Sequence, residues 1–214
     1  VNGYCERLTD AFWAEPANAL TNLAFLLAAV VAARELRRAG SGRAPLDLVL
    51  LVAVLAAIGV GSFLFHTLST PASALADTVP IALFILGYAV VFAHRFVGLR
   101  WSRAWLGAPL MLVLAVLVTF GTSGLGLPVP GPYLAALLAL AGLTGWLASR
   151  SEPELLAHRG VFVTATVLFA VSLTLRQLDR PLCPVWPLGT HLGWHLCNAV
   201  VLGLLLRAAV RRAH

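Results

Sequence analysis

The stretch LDLVLLVAVLAAIGVGSFLFH, Leu46 to His66, decides the fold. Between Asp47 at its start and Ser62 and His66 at its end it is wholly apolar. A run of about 20 such residues is what one α-helix needs to cross the hydrocarbon core of a bilayer. Comparable runs recur on either side, at 17–34, 73–94, 104–121, 132–149, 160–176 and 190–206, with turn-rich breaks between them. The pattern predicts an all-α, polytopic membrane protein, a seven-transmembrane-helix bundle forming a single domain over residues 1–214. Composition agrees: 60% of the 214 residues are hydrophobic and 11% are charged, with a mean hydropathy of +0.89, whereas about a quarter of a soluble domain is charged. The first run starts late and carries Glu15, Asn18 and Asn22, unlike a cleaved leader.

Every basic residue is arginine. With these spans, Arg34, Arg37, Arg38, Arg43, Arg95, Arg100, Arg103, Arg150, Arg159, Arg207, Arg211 and Arg212 fall on one side, and Arg7, Arg176 and Arg180 on the other. Arginine-rich loops stay in the cytoplasm, which predicts the N terminus outside and the C terminus cytoplasmic. The net charge of +6 is then a topology signal suited to anionic headgroups, and not a nucleic-acid footprint. The same orientation puts Cys5 and Cys183 in an oxidising compartment, where a disulfide would tie the N-terminal segment to the loop before the last span. Sequence alone leaves the connectivity open. Cys197, inside the last span, reads as a packed thiol.

Ser62, His66, Asp77, His191 and His195 all come out near the outer surface. A charged side chain at a helix centre costs about 2.5–3.5 kcal/mol and rarely persists without a partner or a task. His191 and His195, four residues apart, project from one helix face about 6 Å apart along the axis. Ser62 and His66 repeat that spacing. Three imidazoles with a fourth position left to water is the arrangement of a catalytic zinc, while closed structural sites use four protein ligands. Plainer roles exist for each residue taken singly. A histidine can bridge helices, Asp77 can cap its helix or orient a histidine from behind, and Ser62 can bond its own helix. Convergence of all five at one depth favours a metal. His94, His158 and His214 sit beside arginines and read as solvated surface, while Trp186 and Trp194 read as aromatic belt. Asn18 and Asn22 read as interhelical contacts or as supports for Glu15.

The order Ser62-x3-His66, Asp77, then His191-x3-His195 resembles the seven-helix alkaline ceramidases, within the wider CREST group of membrane hydrolases and adiponectin-type receptors. Tyr4-Cys5-Glu6 and Ala14-Glu15-Pro-Ala-Asn18 are similar to that family's Trp-Cys-Glu and Ala-Glu-Phe-Trp-Asn. Arg176-Gln-Leu-Asp179 with Cys183 downstream resembles its Trp-x-x-Asp and cysteine before the last helix. The resemblance runs the length of the chain. It implies zinc on His66, His191 and His195, Asp77 as general base and later proton donor, and Ser62 as hydrogen-bond donor to the water or the oxyanion. The implied reaction hydrolyses a membrane lipid amide, ceramide or another N-acyl lipid, to a fatty acid and a sphingoid base. It also implies calcium near the zinc, with Glu6, Glu15 and the Tyr4 carbonyl as ligands. There the chain departs from the pattern, carrying Gly3 and Leu8 where the family has aspartate and asparagine. Asp10 or Asn2 would have to substitute. Asp179 reads as a partner of Arg176 one turn earlier, or as a support for the metal site.

Two other readings stay open. The same chemistry would cleave a different lipid ester or amide, including an N-acyl amino acid. A metal-stabilised receptor or lipid-binding protein would keep the metal without turnover. A metal transporter fits less well, since the polar cluster sits at one depth only. The arginine-, alanine- and leucine-rich composition suggests a bacterial cytoplasmic membrane with the site near its periplasmic or extracellular face. Oligomeric state leaves no mark on the sequence.

Overall fold

A computed structural model describes residues 3–39 and 44–213; Asn2, Arg43 and His214 lie outside them. The described chain is helical throughout: α1 (Pro16–Thr21), α2 (Leu23–Ala39), α3 (Leu46–Leu68), α4 (Pro71–Arg95), α5 (Trp101–Ala104), α6 (Gly107–Gly124), α7 (Gly131–Ala148), α8 (Pro153–Leu182) and α9 (His191–Arg212). Seven units among them are long and apolar enough to cross a membrane, with α1 joining α2 and α5 joining α6. The chain is thus an all-α, multi-pass membrane protein. Each span packs on the next, and α9 returns to α2, closing a ring. The last span is the most buried, and α6 the least, with Leu110, Leu117 and Phe120 turned outward.

Two boundaries differ from the sequence reading for physical reasons. The first span breaks at Asn22 because its own side chains compete for backbone carbonyls. Thr21 Oγ1 bonds the carbonyls of Ala17 and Asn18 at 2.9 and 3.0 Å, and Asn22 Nδ2 bonds that of Asn18 at 2.8 Å. The sixth span begins at Pro153, before its expected start, and continues past Asp179. Gly160 lies within it, since one helical glycine costs only about 1 kcal/mol.

The α3–α4 turn sets the geometry that matters most. Ser69 takes the left-handed conformation (φ 50°) and Thr70 forms a capping box with Ser73. The two helices then run so close that a Cβ at Gly61 would collide with the Ala76 carbonyl. That approach brings Ser62 beside Asp77. At the opposite, arginine-rich end, Arg95 grips Asp47 with two bonds of 2.8 and 2.7 Å, and Arg207 reaches Glu35 at 2.9 Å. His158, expected at the solvated surface, is instead buried, with its ring edge-on to Phe96.

Candidate metal centre

The last turn of α3 and the first two turns of α9 bring His66, His191 and His195 together, each about 2% exposed or less. Their candidate donor nitrogens all lie within 4.8 Å of one another. The start of α9 is held by Asp179, which accepts from the backbone N–H of Thr190 at 2.8 Å, His191 at 2.9 Å and Cys5 at 3.0 Å. Gly189 is required beside it: its φ is +71°, and a Cβ there would strike the Asp179 carboxylate. Asp179 therefore anchors the helix that carries two histidines and forms no ion pair with Arg176.

Hydrogen bonds behind two of the rings fix their tautomers. Glu15 Oε2 takes the Nδ1–H of His66 at 2.7 Å, leaving Nε2 as a lone pair, the carboxylate–histidine arrangement that accompanies metal ligation. That Nε2 is buried and has no partner among the described residues. His195 Nδ1 meets Thr21 Oγ1 at 2.9 Å, and since that hydroxyl donates to carbonyls, it accepts from the imidazole. His191 Nδ1 is likewise buried without a described partner, and the ring stacks on Tyr4 at 3.6 Å and 19°. Unsatisfied buried polar atoms cost about 1–3 kcal/mol each, so an ion accepted by these nitrogens would be stabilising.

Glu15 is fully buried and joins several neighbours. Besides His66 it accepts from Arg7 Nε at 2.5 Å and Asn18 Nδ2 at 3.1 Å. Burial would raise its pKa, but His66, Arg7 and Asn18 together hold it below the usual carboxylate value. Arg7 also donates to the His66 carbonyl at 2.8 Å. Glu6 caps α1, taking the N–H groups of Ala17 and Asn18 at 2.7 and 2.8 Å. Both acids expected near calcium are thus engaged by the chain itself. The Tyr4 carbonyl accepts from Arg7 N at 3.4 Å, Asp10 is exposed and Asn2 is outside the described residues.

Ser62 donates to Asp77, and both line a cavity of about 410 Å³ with Tyr4, His191 and His195. Asp77 and Tyr88, eleven residues apart on α4, both face it, a depth of about 16 Å. Its deeper wall is apolar, formed by residues such as Phe84, Met111, Leu140 and Leu205. Trp194, expected in the aromatic belt, is 5% exposed and lines this cavity edge-on to Tyr133. Burial raises the Tyr4 hydroxyl to about 12 against the opposing charge of Arg176, so it stays a neutral phenol. Cys5 and Cys183 form a disulfide that fastens the Tyr4 segment over the histidines. Cys197 is free. Thr21 and Arg7 escaped the sequence reading, although the spacing Glu15, Asn18, Thr21 marks one polar helix face.

Seven spans, with three buried imidazoles beside a largely apolar cavity that Asp77 also lines, define a multi-pass membrane protein with a candidate metal centre. The family model for Ceramidase matches residues 3–204, and the chain belongs to that family of membrane enzymes acting on the amide bond of ceramide. No curated protein matches it.

Proposed function

We propose that the protein is a zinc-dependent hydrolase that cleaves the amide of ceramide or a related N-acyl lipid to a fatty acid and an amine. The observation that carries this is the orphaned His66 Nε2, clustered with His191 and His195, two imidazoles that line an acyl-sized cavity together with Ser62 and Asp77. The donor set fits zinc: His66, His191 and His195 would hold it, with Glu15 and Thr21 keeping two tautomers ready. When bound, zinc supplies Lewis acidity, polarising the amide carbonyl and making water nucleophilic near neutral pH. Asp77 takes the proton from the attacking water and returns it to the leaving amine. Ser62 donates its one hydroxyl hydrogen to the Asp77 carboxylate and, once Asp77 has taken the proton from water, is free to turn that hydrogen toward the developing oxyanion. The apolar depth between α4, α6, α7 and α9 holds the acyl chain.

Calcium has no part in this reading. Glu6 is spent on the α1 N-terminus, and the Arg7 guanidinium already neutralises Glu15. The orientation follows from the arginine bias, which supports a histidine end facing the periplasm or exterior of a bacterial cytoplasmic membrane. The test is product analysis of the zinc-loaded protein with ceramide, beside His191→Ala. Fatty acid and sphingoid base in equal amounts, absent with the variant, would support the reading. Absence of product from ceramide would remove ceramide as the substrate, and absence of product from an N-acyl amino acid as well would overturn the hydrolase reading.

A further inference from the structure

The three arginines at the histidine end differ in their company. Arg7 is matched by Glu15. Arg176 and Arg180, one turn apart on α8 and so on one face, form no ion pair among the described residues. Arg176 lines the cavity with Asp77 and His191. Its guanidinium rests against the rings of Tyr133 at 5.3 Å and Trp194 at 5.7 Å and hydrogen-bonds the Tyr4 phenol. It also makes a long 3.5 Å bond to the neighbouring Gln177. Arg180 lies over Gly3, also a cavity residue, where a Cβ would come 3.2 Å from Nη1.

Among the described residues the one acid on the cavity wall is Asp77, whose charge acts on Arg176 across the cavity without a direct ion pair, so the two guanidiniums at this end outnumber it. A divalent ion on the histidines adds to this positive charge and does not offset it. Two guanidiniums against one carboxylate leave a net positive charge at this end of the cavity, and the chain otherwise concentrates its arginines at the far end. A planar fork of donors, held by aromatic faces, matches a carboxylate or phosphate oxygen pair. A neutral head with hydroxyls alone leaves that charge unmatched.

We propose that Arg176, with Arg180 at the rim, binds an acidic group on the amine half of the substrate. The preferred substrate is then an N-acyl lipid with an anionic head, of which an N-acyl amino acid is the simplest. This rests on the amide-hydrolase reading above.

Three amides with one acyl chain test it: an N-acylglycine, the matching N-acylethanolamine and ceramide, each given to the zinc-loaded protein. The N-acylglycine is expected to have the highest kcat/KM, its advantage expressed mainly in KM. Arg176→Gln should lower the ratio of acidic to neutral turnover by roughly 30-fold or more, the loss expected when one partner of a desolvated charge pair is removed. Arg176→Lys should restore part of that ratio, and Arg180→Gln should lower it less and in a salt-sensitive way. Preference for ceramide or the ethanolamide, or an equal fall on all three amides with Arg176→Gln, overturns this inference and leaves the hydrolase reading standing. Release of fatty acid from none of them overturns both.

Discussion

Under the proposed hydrolase reading, Glu15 and Asp77 are two carboxylates with separable duties. Glu15 touches the back of His66, so Glu15→Gln keeps the shape of the contact but loses the charge that raises the ring's basicity. Zinc affinity should fall about 10- to 100-fold, read as retention against a chelator, with helical content unchanged. Asp77→Asn should retain zinc and lose turnover by about 10²- to 10⁴-fold, measured under saturating metal. A variant pair with those effects exchanged would reverse the two assignments. The histidines and Asp77 are legible in sequence because ionisable groups in apolar runs are conspicuous. The duty of Glu15 is not, since its partner lies 51 residues away and a carboxylate beside Cys5-Glu6 looks equally like a calcium ligand. Trp194 misleads similarly. Its place near a span end suggests the interface, and only the packing of α7 and α8 turns it inward.

Between helices, the decisive contact is the α3–α4 crossing. At Gly61 the backbones approach so closely that even a methyl group meets the Ala76 carbonyl. Gly61→Ala must therefore push the helices apart, at about 1–3 kcal/mol for such overpacking, and separate Ser62 from Asp77. Thermal unfolding in detergent should show a lowered Tm together with lost turnover. Gly142→Ala, which meets nothing within 4 Å, should leave turnover intact and Tm equal or higher, since alanine favours helix. Span existence was readable because a bilayer demands long apolar helices. Span ends were less so: α8 continues through Gly160 and past Asp179 because packing overrides local breakers, and the break after Thr21 arises from side-chain bonds that composition does not reveal.

Across the whole molecule, the disulfide and the arginine bias make one joint claim. Cys5–Cys183 closes a loop spanning 178 residues and clamps Tyr4 onto His191, so opening it frees the segment that covers the site. The chain-entropy relation gives about 5 kcal/mol for a loop of this length, against about 2–4 kcal/mol for a typical disulfide. If the arginine-rich end faces the cytoplasm, a membrane-impermeant phosphine should reach the bond in right-side-out vesicles and lower both turnover and Tm. The same reagent applied to inverted vesicles should leave activity unchanged, because the face it meets carries the Asp47–Arg95 and Glu35–Arg207 pairs and no disulfide. Cys197 does not confuse the assay, being a thiol already reduced and set within α9. Loss of activity in inverted vesicles alone would put the histidine end on the cytoplasmic side and invert the orientation, while leaving the bundle and its histidines as they are. Charge distribution sets direction and helix packing sets the site, and the two fail independently.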